Sequence, residues 1–360
     1  MYNMLKVRFL TKFNKTKLKS TTMRRSVTIL LLVFASCFCA NAQQDAQFTL
    51  FPWANYYFNP GSAGEQHNTL CFTGLFRQQY AGYRDVIPNT DSSISTGGQQ
   101  ILFNMESYLR KLKGGLGLSI LKDKNGQFQN IGFRLGYAYK LNLPSGRLGI
   151  GFQMGFLQQS LVEAELRPNQ IGDPIIDAII KDPLMNFDLN FGLFYKAPNW
   201  YAGLSATQLL TNVRISGNEN FLNLSRQLYL HGGYIYAVPF DPAWTIEPQA
   251  MLKTDMSVIQ FDMLVIARYN GILWGGLHYR IDDAVSVVFG AKPFHSDPNP
   301  YLKGLDMGLA YSFTTSKLGR YQANRSMGDV EFVVRYCFDI FRPEYFSGYG
   351  STRHLYKNQY

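Results

Sequence analysis

From about residue 67 onward, apolar residues alternate with small or polar ones in segments of about ten residues separated by turn residues. In IGFRLGYAYKL, Ile131, Phe133, Leu135, Tyr137, Tyr139 and Leu141 share one face, and Arg134, Gly136, Ala138 and Lys140 share the other. In RLGIGFQMGF, Leu148, Ile150, Phe152, Met154 and Phe156 oppose Gly149, Gly151, Gln153 and Gly155. Side chains of a strand alternate with period two, so one face can meet lipid while the other lines a wet or glycine-packed interior. The pattern predicts 14 strands, near 68–78, 92–102, 113–122, 128–141, 146–158, 186–196, 199–208, 227–238, 243–253, 257–269, 271–281, 284–292, 303–314 and 328–338. An even number suits a closed single-chain barrel.

Connection lengths give a second reading. With strand 1 running outward, the connections after strands 4, 6, 8 and 10 are periplasmic and read NLPSG, APN, PFDP and NG, all short and rich in turn formers. Those after strands 1, 5, 7 and 13 fall outside and are longer, as barrels of this kind prefer. The rule is broken by short external connections after strands 3, 9 and 11, and by NMESYLRK and PFHSDPNPY, which are longer although periplasmic. Aromatic residues near predicted strand ends (Tyr80, Trp200, Trp244, Tyr269, Trp274, Tyr311, Tyr336) suit interfacial girdles. A soluble β-sandwich also needs alternation, but 14 segments with a nearly apolar outer face make it the weaker reading.

The formal net charge of +10 changes little once it is located. Eight of the 35 Lys and Arg fall in residues 1–42, which hold no Asp or Glu, and the remainder carries 27 basic against 25 acidic residues. A nucleic-acid role therefore loses its support. The basic stretch belongs to a leader: Arg24-Arg25, the apolar VTILLLVFASCFCA, and Ala40-Asn41-Ala42, with cleavage expected after Ala42. Met23 is an alternative start, and Cys37 a competing lipoprotein site that has Phe34 where an aliphatic residue is usual. Past the leader no run of 18 apolar residues follows, which argues against a helical span.

Five stretches in order carry a family resemblance: QDAQFTLFPWANYYFNPGSAG, GGLGLSILKDKNG, LHGGYIYAV, LWGGLHYRIDDAVSVVFGAK and GLAYSFTTSKLGRYQANRSMGDVEFVVRYCF. Together they resemble the PorP/SprF family. That resemblance implies an outer-membrane barrel of a Gram-negative bacterium, with a non-enzymatic role in type IX secretion and gliding motility. It implies contacts with periplasmic ring and peptidoglycan-binding components, or with one secreted adhesin. The chain departs from the family pattern after Phe338, where 22 residues follow the last strand. The expected organisation is a leader (1–42), a periplasmic N-terminal segment (43–66), an all-β, closed antiparallel transmembrane β-barrel (67–338) and a periplasmic C-terminal extension (339–360). A passive channel or hydrophobic-substrate transporter is the alternative function.

Candidate chemistry is sparse. GxSxG, P-loop, HExxH and strand-to-helix GxGxxG motifs are absent, and no catalytic, metal or cofactor residues are expected. His278, inward by parity beside Arg280, is the one hint of a hydrolase, and a lumen histidine satisfied by water or a neighbouring carboxylate is the preferred reading. Parity also turns Arg134, Lys140, Asp188, Lys196, Asp262, Arg268, Arg280, Glu331 and Arg335 inward, and their mixed sign favours mutual pairing over a selective pore. Cys71 and Cys337, the two cysteines left after the leader, sit on the first and last strands and can form a cross-strand disulfide if the register sets them opposite. In YYFNPGSAG, Tyr56, Tyr57, Phe58, Asn59 and Pro60 read either as a turn launching strand 1, as a plug, or as a surface for a periplasmic partner. The loops PNQIGDPIIDAIIKDPLMN and SKLGRYQANRSM are the candidates for surface contact, and the first, with Ile175, Ile176, Ile179 and Ile180 on one helical face, reads as a lid over the barrel mouth ahead of a partner-recognition surface.

Overall fold

The computed structural model describes residues 45–340, apart from 67–68, 83, 87–92, 96, 162–183, 211–213, 217–224, 298–301 and 317–326. The leader, the four loop isoleucines, most of SKLGRYQANRSM and residues 341–360 lie outside the described residues. The barrel strands are β1 (Thr69–Gln78), β2 (Gln99–Leu109), β3 (Gly114–Asn125), β4 (Phe128–Leu143), β5 (Gly146–Leu161), β6 (Leu184–Lys196) and β7 (Trp200–Thr207). They continue as β8 (Gln227–Tyr234), β9 (Trp244–Thr254), β10 (Ile259–Tyr269), β11 (Leu273–Arg280), β12 (Ala284–Ala291), β13 (Leu305–Thr314) and β14 (Asp329–Asp339). Each pairs antiparallel with its chain neighbour, and β1 closes on β14 from Thr69↔Asp339 to Gln78↔Val330, giving a closed 14-strand barrel.

The alternation sorts residues as the physics of a lipid-facing sheet requires. Leu135, Leu204, Leu277 and Phe289 point outward with half or more of their surface uncovered, a cost in water that hydrocarbon removes. The core is inside: Leu75, Leu102, Leu121, Leu264, Ile266, Val288 and Val333 cluster with residues of the N-terminal segment. Trp200, Tyr234, Tyr236, Trp244 and Tyr269 are exposed near strand ends at one rim. Trp274 departs from the expected girdle: it is buried and faces the lumen.

Strand β2 also differs from expectation, lying seven positions later than the predicted 92–102. Its inner face carries Gln100, Asn104 and Glu106, all buried, so a polar lumen made the strand resemble a loop. With the strand in its observed position, the turn to β3 shrinks to 110–113 and the connection after β1 lengthens to 79–98. The longest connections then lie at the outer end, as loop economy in such barrels favours, although those after β3, β9 and β11 stay short there. The periplasmic connection 292–304 remains an exception. Pro248 on β9 has no N–H to give, and Ile235, where the β8 ladder is interrupted, donates instead to the Asn199 carbonyl at 2.6 Å.

Candidate functional site

The lumen is filled by residues 45–64. Proline at the start of the two 3-10 turns, aromatic bulk and the small residues of NPGSAG produce three consecutive single-turn helices: a 3-10 turn Phe51–Ala54, an α turn Asn55–Phe58 and a 3-10 turn Pro60–Ser62. Helices this short are not stable alone, so the wall holds them. Phe48, Phe51, Tyr56, Tyr57 and Phe58 are fully buried, each burial worth about 1.5–3 kcal/mol relative to exposure. The structure thus departs from two expectations for Tyr56, Tyr57, Phe58, Asn59 and Pro60. They neither lie at the membrane interface nor face the periplasm, because the lumen offers apolar surface that neither setting would supply.

One side of the wall receives the segment through glycine. Gly115 and Gly117 on β3, Gly149 and Gly151 on β5, and Gly192 on β6 all face inward. A methyl group on any of them would overlap Ala63, Tyr56, Gly61, Pro60 or Asn59 in turn. The glycines let two backbones approach closely, and hydrogen bonds use that approach. Tyr56 Oη donates to the Gly117 carbonyl at 2.6 Å, Lys140 Nζ to the Gly61 carbonyl at 2.8 Å, and Ser205 Oγ to the Phe58 carbonyl at 2.7 Å. Asn59 ties the turn together: its Oδ1 accepts from Gly61 N at 2.9 Å, and its Nδ2 donates to the Leu193 carbonyl at 2.9 Å and lies 3.1 Å from His231 Nε2.

The other side receives residues 45–53 through charge. Glu331 accepts from Thr49 N and Leu50 N, both at 2.7 Å, satisfying two buried backbone donors with one carboxylate. Arg77 bridges the Gln47 carbonyl and Asp329, the latter at 2.6 Å. Arg280 donates to Asp262 at 2.6 Å and reaches the Phe48 carbonyl at 3.4 Å. Asp306 accepts from Trp274 at 2.9 Å and from Trp53 at 3.3 Å, whose rings stack 4.6 Å apart. At the head of the segment, the Asp45 carboxylate takes Tyr57 Oη at 2.6 Å and Tyr229 Oη at 3.1 Å, with Arg134 lying over the Tyr57 ring.

All nine charges assigned inward by parity are found on the inner wall, and the segment uses several of them. Arg134 lies 3.9 Å from Asp188, Arg268 pairs with Glu247 at 2.8 Å, and Lys196 pairs with Glu65 at 3.0 Å. Arg335 donates to Cys337 Sγ at 3.4 Å. Sequence reasoning missed Arg77, Glu106, Lys253, Asp306 and Asp329, all buried and inward. The parity of β1, β2, β9, β13 and β14 was the available signal. Cys71 and Cys337 face each other across the seam, Cα atoms 4.0 Å apart, and form a disulfide between the first and last strands.

His278 lies 3.3 Å from both Asp262 and Ser286, which superficially assembles serine, histidine and carboxylate. The group is not arranged for nucleophilic attack. Ser286 Oγ donates to Ser312 at 2.7 Å, Arg280 holds Asp262, and all three side chains are buried. Among the described residues, no group of three or more His, Cys, Asp or Glu side chains forms a metal cage.

A family model described as "Type IX secretion system membrane protein PorP/SprF" matches residues 40–336. No curated protein matches the chain. Solved structures similar in architecture include a TodX deltaS2S3 mutant monoaromatic hydrocarbon channel, 12% identical, over 79% of this chain and 94% of that one, with a TM-score of 0.48. The Ralstonia pickettii toluene transporter TbuX is 12% identical over 82% and 95%, with a TM-score of 0.45. The Acinetobacter baumannii outer membrane protein Omp33 is 9% identical over 76% and 100%, with a TM-score of 0.39. At these values the likeness does not extend to what those proteins carry.

Proposed function

The chain belongs to the PorP/SprF family of type IX secretion system membrane proteins, outer-membrane β-barrels of Gram-negative bacteria, and from that premise we propose that it works without catalysis, as a plugged barrel assisting secretion or surface attachment of cargo proteins such as adhesins. The observation that carries this reading is the filled lumen. Glu331, Arg280, Arg77 and Asp306 are engaged by residues 47–53 rather than left to line a water path. The inner glycines are occupied by residues 56–63. A wall committed to holding its own N-terminal segment suits a rigid platform better than a passive channel. The closed Ser286–His278–Asp262 cluster supports a non-enzymatic role for the same reason: nothing can reach it.

In this reading the periplasmic ring and peptidoglycan-binding components engage the short-turn end, where β14 ends at Asp339, and a cargo such as an adhesin is handed to the outer surface. The test is affinity purification of the detergent-solubilised protein from its native envelope, with mass spectrometry of what accompanies it. Recovery of secretion-apparatus proteins or of one large surface protein is expected. A partnerless barrel that gives a steady conductance in planar bilayers would overturn the platform in favour of a channel.

A further inference from the structure

Below the plug, at the short-turn end, the barrel holds a vestibule of about 450 Å³ whose floor includes Pro52, Trp53 and Asn55. Five cations from four separate parts of the wall line it: Lys196, Arg268, Lys292, Lys303 and Arg335. The carboxylates among them are largely spent. Glu247 accepts from Arg268 at 2.8 Å, and Asp306 accepts from two indoles while lying 3.7 Å from Lys292. Asp339 stands exposed at the rim.

The donors are not spent. Arg268 Nη1 is buried with no hydrogen-bond partner, a state that costs free energy until an acceptor arrives. Among the described residues, no carboxylate lies within ion-pair distance of Lys303 or Arg335. The unused capacity of the vestibule is therefore that of a donor. Its apolar walls come from Trp53 and Tyr201. A volume of this size is in the range of ligand pockets and exceeds what an inorganic anion fills. Cations spread from β6 to β14 can be reached together by an extended chain, not by a compact ion.

We propose that this vestibule binds an extended peptide segment from a periplasmic partner, with carboxylate side chains meeting Arg268, Lys303 and Arg335 and aromatic side chains meeting Trp53 and Tyr201. Only the direction of approach comes from the secretion reading. Binding is measured on the purified barrel, so its failure leaves that reading standing.

The probe is a fluorescein-labelled peptide of alternating Glu and Tyr, compared with its Gln and Tyr counterpart by fluorescence anisotropy on the solubilised full chain. The Glu peptide binds more tightly, by roughly tenfold, and loses the advantage as salt is raised. Lys303→Glu, on an exposed turn where folding is not at stake, weakens it by roughly threefold. Arg268→Lys keeps the pair with Glu247 but removes the orphaned donor, and weakens it further. Equal affinity for the two peptides, no binding of either, or an unchanged affinity in Lys303→Glu would overturn the proposal. Binding that appears only after residues 341–360 are deleted gives the site to the chain's own tail, and also overturns a partner-derived ligand.

Discussion

Strands β3 to β7 meet residues 56–64 largely through glycine, whereas β8 to β14 and β1 meet residues 45–53 largely through charge and indole. The two sides hold one segment by opposite means. On the glycine side the fit depends on atoms that are missing, so an added carbon collides with segment backbone at Gly115, Gly149 and Gly151 and with the buried side chains of Tyr56 and Asn59 at Gly117 and Gly192. On the charged side the fit depends on groups that are present, so deletion is worse than isosteric exchange. The difference teaches that a barrel lumen can be filled without a hydrophobic cylinder: close approach supplies shape on one wall, and directional bonds supply register on the other.

The comparison breaks most visibly at Gly151. Gly151→Val puts side-chain atoms into Pro60 and Gly61, and is expected to cost about 3 kcal/mol or more, seen as a lowered melting temperature and as protease access to residues 45–64. Glu331→Ala leaves the Thr49 and Leu50 N–H groups buried and unpaired, at about 2–3 kcal/mol, whereas Glu331→Gln keeps one acceptor and should lose about half as much. If Glu331→Gln loses as much as Glu331→Ala, a neutral acceptor is worth nothing there and the carboxylate charge is what fixes that side. Ser205→Ala removes the donor to the Phe58 carbonyl and is expected to lower stability by about 1 kcal/mol, measured by the same melting curve.

The smallest effect is at the periplasmic edge, where Glu65 meets Lys196. Burial alone would raise the Glu65 carboxyl, but the Lys196 charge and hydrogen bond, with Arg335 and Lys140 farther off, bring it below its ordinary value. A depressed carboxyl contributes stability above its unfolded value of about 4.3 and loses it as pH falls through the folded value. The stability difference between the native chain and Glu65→Gln should therefore be flat at neutral pH, under about 1 kcal/mol because both side chains are part-exposed, and should vanish in acid. A difference that grows on acidification would contradict the assignment.

Much of this was readable in advance, and the misses have physical causes. Thirteen of the fourteen strands lie within a few residues of where alternation put them, because an apolar outer face is demanded by lipid alone. Strand β2 slipped because its inner residues Gln100, Asn104 and Glu106 are polar, and a polar inner face weakens a pattern that hydropathy alone must carry. Trp274 was read as a girdle residue from its position near a strand end, yet its parity with His278 and Arg280 turns it inward onto Trp53. The cysteines needed a register that no single strand contains.

Alone, the sequence determined the barrel, its strand number, which face of each strand meets lipid and which charges turn inward, since each follows from a local period of two. Only the tertiary structure decided what those inward residues are for. That Gly151 receives Pro60, or that Glu331 caps Thr49 and Leu50, depends on partners tens to hundreds of positions apart in the chain. Closure of the barrel around its own N-terminal segment brings them together, and no local pattern records that distance.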